Sequence, residues 1–273
     1  MKEYKSEEDF LKAYNPDAYK KISLTADILV LSVSSNDNPN YRKTDDKKMS
    51  VLLVKRDNYP FKDKWCLPGG FVRYDENLDE APKRILKSET NLDNIYLEQL
   101  YTFGDVDRDP RMRVISTSYM SLIDKNRLVE QINRNAYWFD ITLYEEKNNI
   151  VTIVLDNNYE TISFKIKKEL REKTSDRYTY KIIENNSIAF DHPKLILAGL
   201  ERLKNKLEYT DIVFNMMPKY FTLGELQKVY EVILGKKLLD PAFRRIIMNK
   251  VVKTDKIKTG EGHRPSYYFK YKR

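Results

Sequence analysis

β-rich apolar runs recur through the chain up to residue 166, and apolar side chains fall at a helical period after residue 190. No other feature restricts the fold as much. The runs 26–33, 50–55, 97–103, 113–123, 136–139, 150–155 and 159–166 read as strands. In 113–123, Val114, Ser116, Ser118 and Met120 alternate against Ile115, Thr117, Tyr119 and Ser121. One helical pattern lies between the second and third runs, and a short lead-in helix is expected over 7–14, stopped by Asn15-Pro16. Residues 34–48, dense in Asn, Asp, Lys and Ser, read as an exposed loop, and Asp156-Asn157-Asn158 as the turn of a hairpin closing the first domain. Beyond it, Asp191 is an N-cap candidate and Pro193 fits a first helical turn. Leu195, Ile196, Gly199, Leu200 and Leu203 share one face of a helix running to about residue 206. His192 reads as a structural residue at that helix start. Strands followed by helices describe an α+β chain, divided here into 1–190 and 191–273, with 273 residues enough for two cores.

Charge divides the chain at nearly the same place. Residues 201–273 carry 17 Lys/Arg against 8 Asp/Glu, whereas residues 1–200 carry 32 against 33. A cationic part attached to a neutral one calls for a polyanionic partner, most simply nucleic acid, or else presents a lysine-rich solubilising surface. At 41% hydrophobic and 12% aromatic the composition excludes a disordered or collagen-like chain. No apolar run approaches the ~20 residues that span a bilayer, and residues 1–10 are charged, so a cytoplasmic protein without membrane contact is expected. The single Cys66 makes no disulfide within the chain, and with only His192 and His263 there is no zinc framework to propose.

Gly69-Gly70-Phe71-Val72-Arg73-Tyr74-Asp75-Glu76, seven residues, then Arg84-Ile85-Leu86-Lys87-Ser88-Glu89-Thr90-Asn91-Leu92 form a loop, helix, loop unit. This unit resembles the box of the Nudix (MutT-like) family, G-x5-E-x7-R-E-U-x-E-E-x-G-U, with Gly70, Glu76, Arg84, Leu86, Glu89 and Leu92 in the matching places. The resemblance implies an α/β/α sandwich. In the family three glutamates on one helix face hold Mg²⁺ against a diphosphate; here those positions are Ile85, Ser88 and Glu89. One carboxylate of three remains, which counts against efficient hydrolysis and requires no cofactor. If activity persists, Glu89 and Glu76 are the catalytic candidates and Glu89 the one Mg ligand. Alternatively the box is scaffold, with Arg84 paired to Glu76 or Glu89. Asn91 replaces the glycine that ends the helix and is the next best left-handed cap. Pro82 is tolerable if the helix starts near Asp79.

Residues 100–116 look like the loop and strand of Nudix proteins that handle ADP-ribose. Arg56, Arg108, Arg111 and Arg113 supply forked donors for phosphate, and Phe71 and Phe103 supply rings to stack on a base or ribose. The alternative for each loop arginine is a bond to Asp105, Asp107 or Asp109. The expected ligand is ADP-ribose or a related nucleotide-sugar or phosphosugar.

The last quarter reads as helix, turn, helix and hairpin. Thr222 with Glu225 forms a capping box, and Leu223, Leu226, Val229, Tyr230, Ile233 and Leu234 share one face before Gly235. A second helix starts at Asp240-Pro241, with Asp240 as N-cap and Phe243, Ile246 and Ile247 inward. Two strands follow, joined by a basic tip. This is a winged helix-turn-helix, and Arg244, Arg245, Asn249, Lys250, His263 and Arg264 are its candidate DNA contacts. Together the two parts resemble the Nudix-related transcriptional regulators. That resemblance implies a homodimer on double-stranded operator DNA under a nucleotide-sugar effector. The competing function is a Mg-dependent Nudix hydrolase of ADP-ribose or another nucleoside diphosphate derivative; an interaction adaptor is a third.

Overall fold

The computed structural model describes residues 5–35, 47–91, 95–125, 134–172, 175–259 and 265–272. Its first helix, α1 (Glu7–Ala13), is capped by the Ser6 hydroxyl and buries none of its residues. The strands of the first part are β1 (Ser23–Ser35), β2 (Lys47–Lys55), β3 (Trp65–Cys66), β4 (Gly69–Phe71), β5 (Tyr96–Phe103), β6 (Val114–Leu122), β7 (Ala136–Glu146), β8 (Ile150–Asp156), β9 (Thr161–Glu172) and β10 (Ser175–Asn185). They form one mixed sheet in the order β10-β9-β8-β7-β2-β1-β6-β5, with β3 on β2 and β4 on β1. β1 and β6 run parallel; β1 and β2 are antiparallel.

The apolar runs have their cause in this sheet. Ala26, Ile28 and Val30 of β1 enter one core beneath helix α2 (Ala81–Thr90), and Leu29, Leu31 and Val33 enter a second beneath helix α3 (His192–Lys206). A strand buried on both faces reads as a continuous apolar run. The layers are therefore helix, sheet, helix. α2 begins at Ala81, two residues later than expected, with Pro82 in its first turn, and Asn91 ends it in the left-handed region at φ 55°.

Other expectations change. The interior of the 34–48 loop lies outside the described residues, and Ser34, Ser35, Lys47 and Lys48 belong to the β1–β2 ladder. β7 runs on to Glu146 and turns at Asn148-Asn149, both at positive φ, into β8. Two such residues in succession are what a type I′ hairpin demands. β10 was not expected: it is an edge strand with Tyr178, Tyr180 and Ile182 only half-buried, and its alternation is correspondingly faint.

The last part contains α4 (Leu223–Leu234), α5 (Asp240–Ile247) and the hairpin β11 (Val251–Lys258) and β12 (Ser266–Tyr271). Both halves of the Thr222–Glu225 capping box form, and Gly235 at φ 67° ends α4. Two details of α5 correct the sequence reading. Its N-cap is Leu239; Asp240 is already helical and accepts from Gln227 Nε2 at 2.9 Å. Ile246 is 57% exposed, because Phe243 and Ile247 alone face α4. One apolar cluster runs from the sheet through α3 and α4 to Phe269, so the parts share a core. No helix among the described residues is long and apolar enough to cross a membrane.

Gly199 of α3 marks where that core is tightest. A Cβ there would lie 2.0 Å from Leu29 Cδ2, and Leu29 is fully buried. Alanine for glycine in a helix normally stabilises by up to ~1 kcal/mol. Overpacking costs about 1–3 kcal/mol, so Gly199→Ala should lower the urea unfolding midpoint rather than raise it.

Candidate functional site

A cavity of about 370 Å³ opens between the C-terminal end of β2, the β4 turn, α2 and the start of α3. Four of the six residues expected at a ligand site meet there: Arg56, Phe71, Arg108 and Arg111. Arg56 donates from Nε to the Pro60 carbonyl at 2.8 Å and lays its guanidinium over the Phe190 ring, 4.8 Å from the centroid. Arg111 pairs with Asp109 at 2.8 Å and lies 5.3 Å from the centre of the Phe71 ring. Each arginine thus borders the cavity while held by a hydrogen-bonding partner and an aromatic ring.

The other two are corrections. Phe103 is buried in the main core, edge-on to Tyr101, because β5 turns it inward under α3. Arg113 donates to the Asp105 carbonyl at 2.8 Å and closes the base of its own loop. Neither borders the cavity.

Arg108 borders the cavity, but its carboxylate partners are not the loop aspartates Asp105, Asp107 or Asp109. Its guanidinium forks onto the two carboxylate oxygens of Asp191, at 3.0 and 2.8 Å, and reaches Asp27 at 3.3 Å. Only 3% of its side chain is exposed. Burial works against the charge, but the hydrogen bonds that Arg108 donates to Asp191, together with the two nearby carboxylates, outweigh it and hold the pKa above the usual arginine range. Ser116 Oγ donates to Asp27, and Asp27 Oδ1 lies 3.8 Å from His192 Nε2. His192 Nδ1 accepts the Leu67 amide at 2.9 Å, and burial pushes its pKa down, so the ring is a neutral strut as expected. Asp191 does not cap α3 with its side chain; the carboxylate serves Arg108 instead. Gly69 is obligatory here, since a Cβ would come within 2.2 Å of Asp27 Oδ1.

Asp27 and Phe190 were missed as cavity residues, and Asp191, which does not border the cavity, as the partner of Arg108. Asp27 had a signal, a carboxylate inside the apolar run 26–33 that needs a buried partner. Phe190 had none: it is a bulky residue held at φ 54°, against Phe61 and Arg56 at the cavity wall.

The box helix explains what the cavity lacks. Ile85 is buried and packs beneath Gly70, while Ser88 Oγ donates to the Ile85 carbonyl at 2.7 Å. Glu89 borders the cavity. Among the described residues no group of three or more His, Cys, Asp or Glu is placed to hold a metal ion. A magnesium cluster of the family's kind does not fit an aliphatic side chain, a committed hydroxyl and one carboxylate.

Glu76 and Arg84 instead form a clamp. Arg84 Nε donates to Glu76 at 2.8 Å, Nη2 donates to the Phe71 carbonyl at 3.1 Å, and the Arg73 amide donates to Glu76 at 2.8 Å.

Of the candidate DNA contacts, Arg244, Arg245 and Asn249 are exposed on α5 and just after it. Lys250 is partly exposed and ties the start of the hairpin to Asp211 at 2.7 Å. His263 and Arg264 lie outside the described residues.

The clamp sets a pH test. Hydrogen bonding from Arg84 holds the Glu76 carboxyl down at about 2, from an ordinary value of 4.5. A carboxylate depressed in the fold stabilises above its unfolded pKa and loses that contribution as pH falls. Glu76→Gln should therefore unfold more easily than wild type at pH 7, and the gap should close between about pH 5 and pH 2 in a denaturant series.

Comparison with known proteins matches this geometry. A NUDIX domain model matches residues 41–152, and a model of the NrtR DNA-binding winged helix domain matches residues 213–271. The ADPR responsive transcriptional repressor NtrR of Acinetobacter baylyi is 32% identical over 272 residues, covering 98% of this chain and 89% of that protein. A crystal structure of a MutT/nudix family protein from Enterococcus faecalis aligns with a TM-score of 0.70 at 27% identity, over 98% of this chain and 94% of the other. Shewanella oneidensis NrtR, crystallised with a 27mer DNA, aligns with a TM-score of 0.62 at 26% identity, over 91% and 93%. With a Nudix sheet, a box stripped of its metal ligands and a basic winged helix, the chain belongs to the Nudix-related transcriptional regulators, with a winged helix of the NrtR type.

Proposed function

We propose that this protein is a ligand-responsive transcriptional regulator whose cavity takes ADP-ribose or a related nucleotide-sugar and whose winged helix binds operator DNA as a homodimer in the cytoplasm. The working division falls at residues 190 and 191, with α3 serving both parts. One observation carries the reading: Ile85 and Ser88 stand where metal carboxylates would, beside a cavity bordered by Arg56, Arg108 and Arg111 and by the rings of Phe71 and Phe190. Guanidinium groups bind diphosphate without a metal, and rings stack on a base or ribose. No cofactor is required in this reading. The Acinetobacter relative is an ADPR responsive repressor and the Shewanella relative was crystallised on DNA, which supports carrying both partners over. The hydrolase alternative rests on Glu89 alone.

Selection of genomic fragments by the purified protein, with and without ADP-ribose, tests this directly. DNA retention should weaken steeply with salt. Replacing both Arg244 and Arg245 by Ala should reduce affinity at least ~10-fold, without altering heats of ADP-ribose binding. Release of AMP from ADP-ribose with Mg²⁺, abolished by Glu89→Gln, would replace the regulator by the enzyme.

A further inference from the structure

The cavity and the winged helix are separate places, and a response requires something with two arrangements between them. The Arg108 pair is placed to be that element. Arg108 borders the cavity from the loop before β6, whereas Asp191 opens α3, 83 residues away in sequence. An anionic ligand entering the cavity needs the same guanidinium that Asp191 holds. Phe190, which borders the cavity and directly precedes Asp191, sits at φ 54°, a left-handed conformation that bulky side chains rarely adopt. Strain of this kind collects at switch segments. From there α3 runs for 15 residues, packs on the sheet and meets α4, the first helix of the DNA-binding unit. A second tie joins the same loop to the first turn of α3, Lys194 to Asp105 at 2.5 Å.

We propose that the Arg108–Asp191 ion pair is the coupling element of the regulator: phosphate in the cavity draws Arg108 from Asp191, releasing the start of α3 and shifting the helix-turn-helix. Asp191 is then a positioning residue, acting on DNA through α3. This rests on the ligand and DNA functions proposed above. It separates from them because Asp191 does not border the cavity and lies far from α5 in the chain.

The experiment measures DNA affinity with and without saturating ADP-ribose, and ADP-ribose binding by calorimetry, for the full chain and for Asp191→Asn. Wild type should show a ligand effect within the ~5- to 150-fold range of ordinary couplings. By linkage, DNA should change ADP-ribose affinity by the same factor. In Asp191→Asn the ligand should still bind, but its effect on DNA should fall below about 3-fold, with ligand-independent DNA affinity moved toward the ligand-bound value. Lys194→Met, which removes the more exposed tie, should reduce the response in part, and it carries the test if the Asn variant does not fold. A folded variant that binds both partners with the full wild-type response overturns the coupling role while leaving the proposed function intact. A wild type whose DNA affinity ignores bound ADP-ribose overturns both.

Discussion

A guanidinium buried in a protein interior costs several kcal/mol unless its donors are met by charge, and the arrangement around Arg108 follows from that requirement. Asp191 takes two of its donors and Asp27 a third, so β1, the loop before β6 and the start of α3 must converge on one point. Convergence then dictates the neighbours. Asp27 needs further donors, which it finds in Ser116; it also needs space, which only a glycine at position 69 leaves. His192 fills the remaining side as a neutral ring, anchored through Nδ1 to the Leu67 amide. The turn that opens the Nudix box is thereby fixed from behind by the same group that holds the linker helix.

The parts of this protein that sequence disclosed are those governed by local rules. Alternation in 113–123, the Thr222–Glu225 box, Gly235 and Asn91 each depend on neighbours within a few residues, and each adopts the form those neighbours dictate. What remained hidden depends on partners far away. Asp191 satisfies every local criterion for an N-cap, yet a charge 83 residues upstream outbids the amides of its own helix. Phe103 and Arg113 belong to the right strand and loop but do not border the cavity: the pleat of β5 turns Phe103 into the core, and the Asp105 carbonyl engages Arg113. Ile246 looked like core because it follows Phe243 at helical spacing, but it lies at the edge of the face on which α5 buries only Phe243 and Ile247. β10 went unrecognised because an edge strand buries little.

The same contrast separates what the box has kept from what it has lost. Arg84 and Glu76 persist because they hold the loop, through the Phe71 carbonyl and the Arg73 amide, whatever the cavity does. The metal positions carry no such duty. Ile85 has become core beneath Gly70, and Ser88 satisfies its own helix backbone. Of the three metal positions only Glu89 still brings a carboxylate to the cavity border, where Lys55, Arg56, Arg108 and Arg111 face Asp27, Asp57, Glu89 and Asp109.

How a ligand signal would travel from there is constrained by the core. A flexible linker would let the winged helix swing freely and would transmit little. Here the apolar cluster is continuous from Leu29 and Leu31 of the sheet through Leu195, Ile196 and Leu203 of α3 to Leu226 of α4 and Phe269 of β12. Close-packed interiors deform in discrete steps rather than continuously. A displacement at the first turn of α3 therefore has two outlets: it is absorbed where Phe190 and Asp191 meet the helix, or it carries α4 with it. Gly199, seated directly on Leu29, is the point of closest approach between the middle of this helix and the sheet, and so the contact that any such displacement must accommodate.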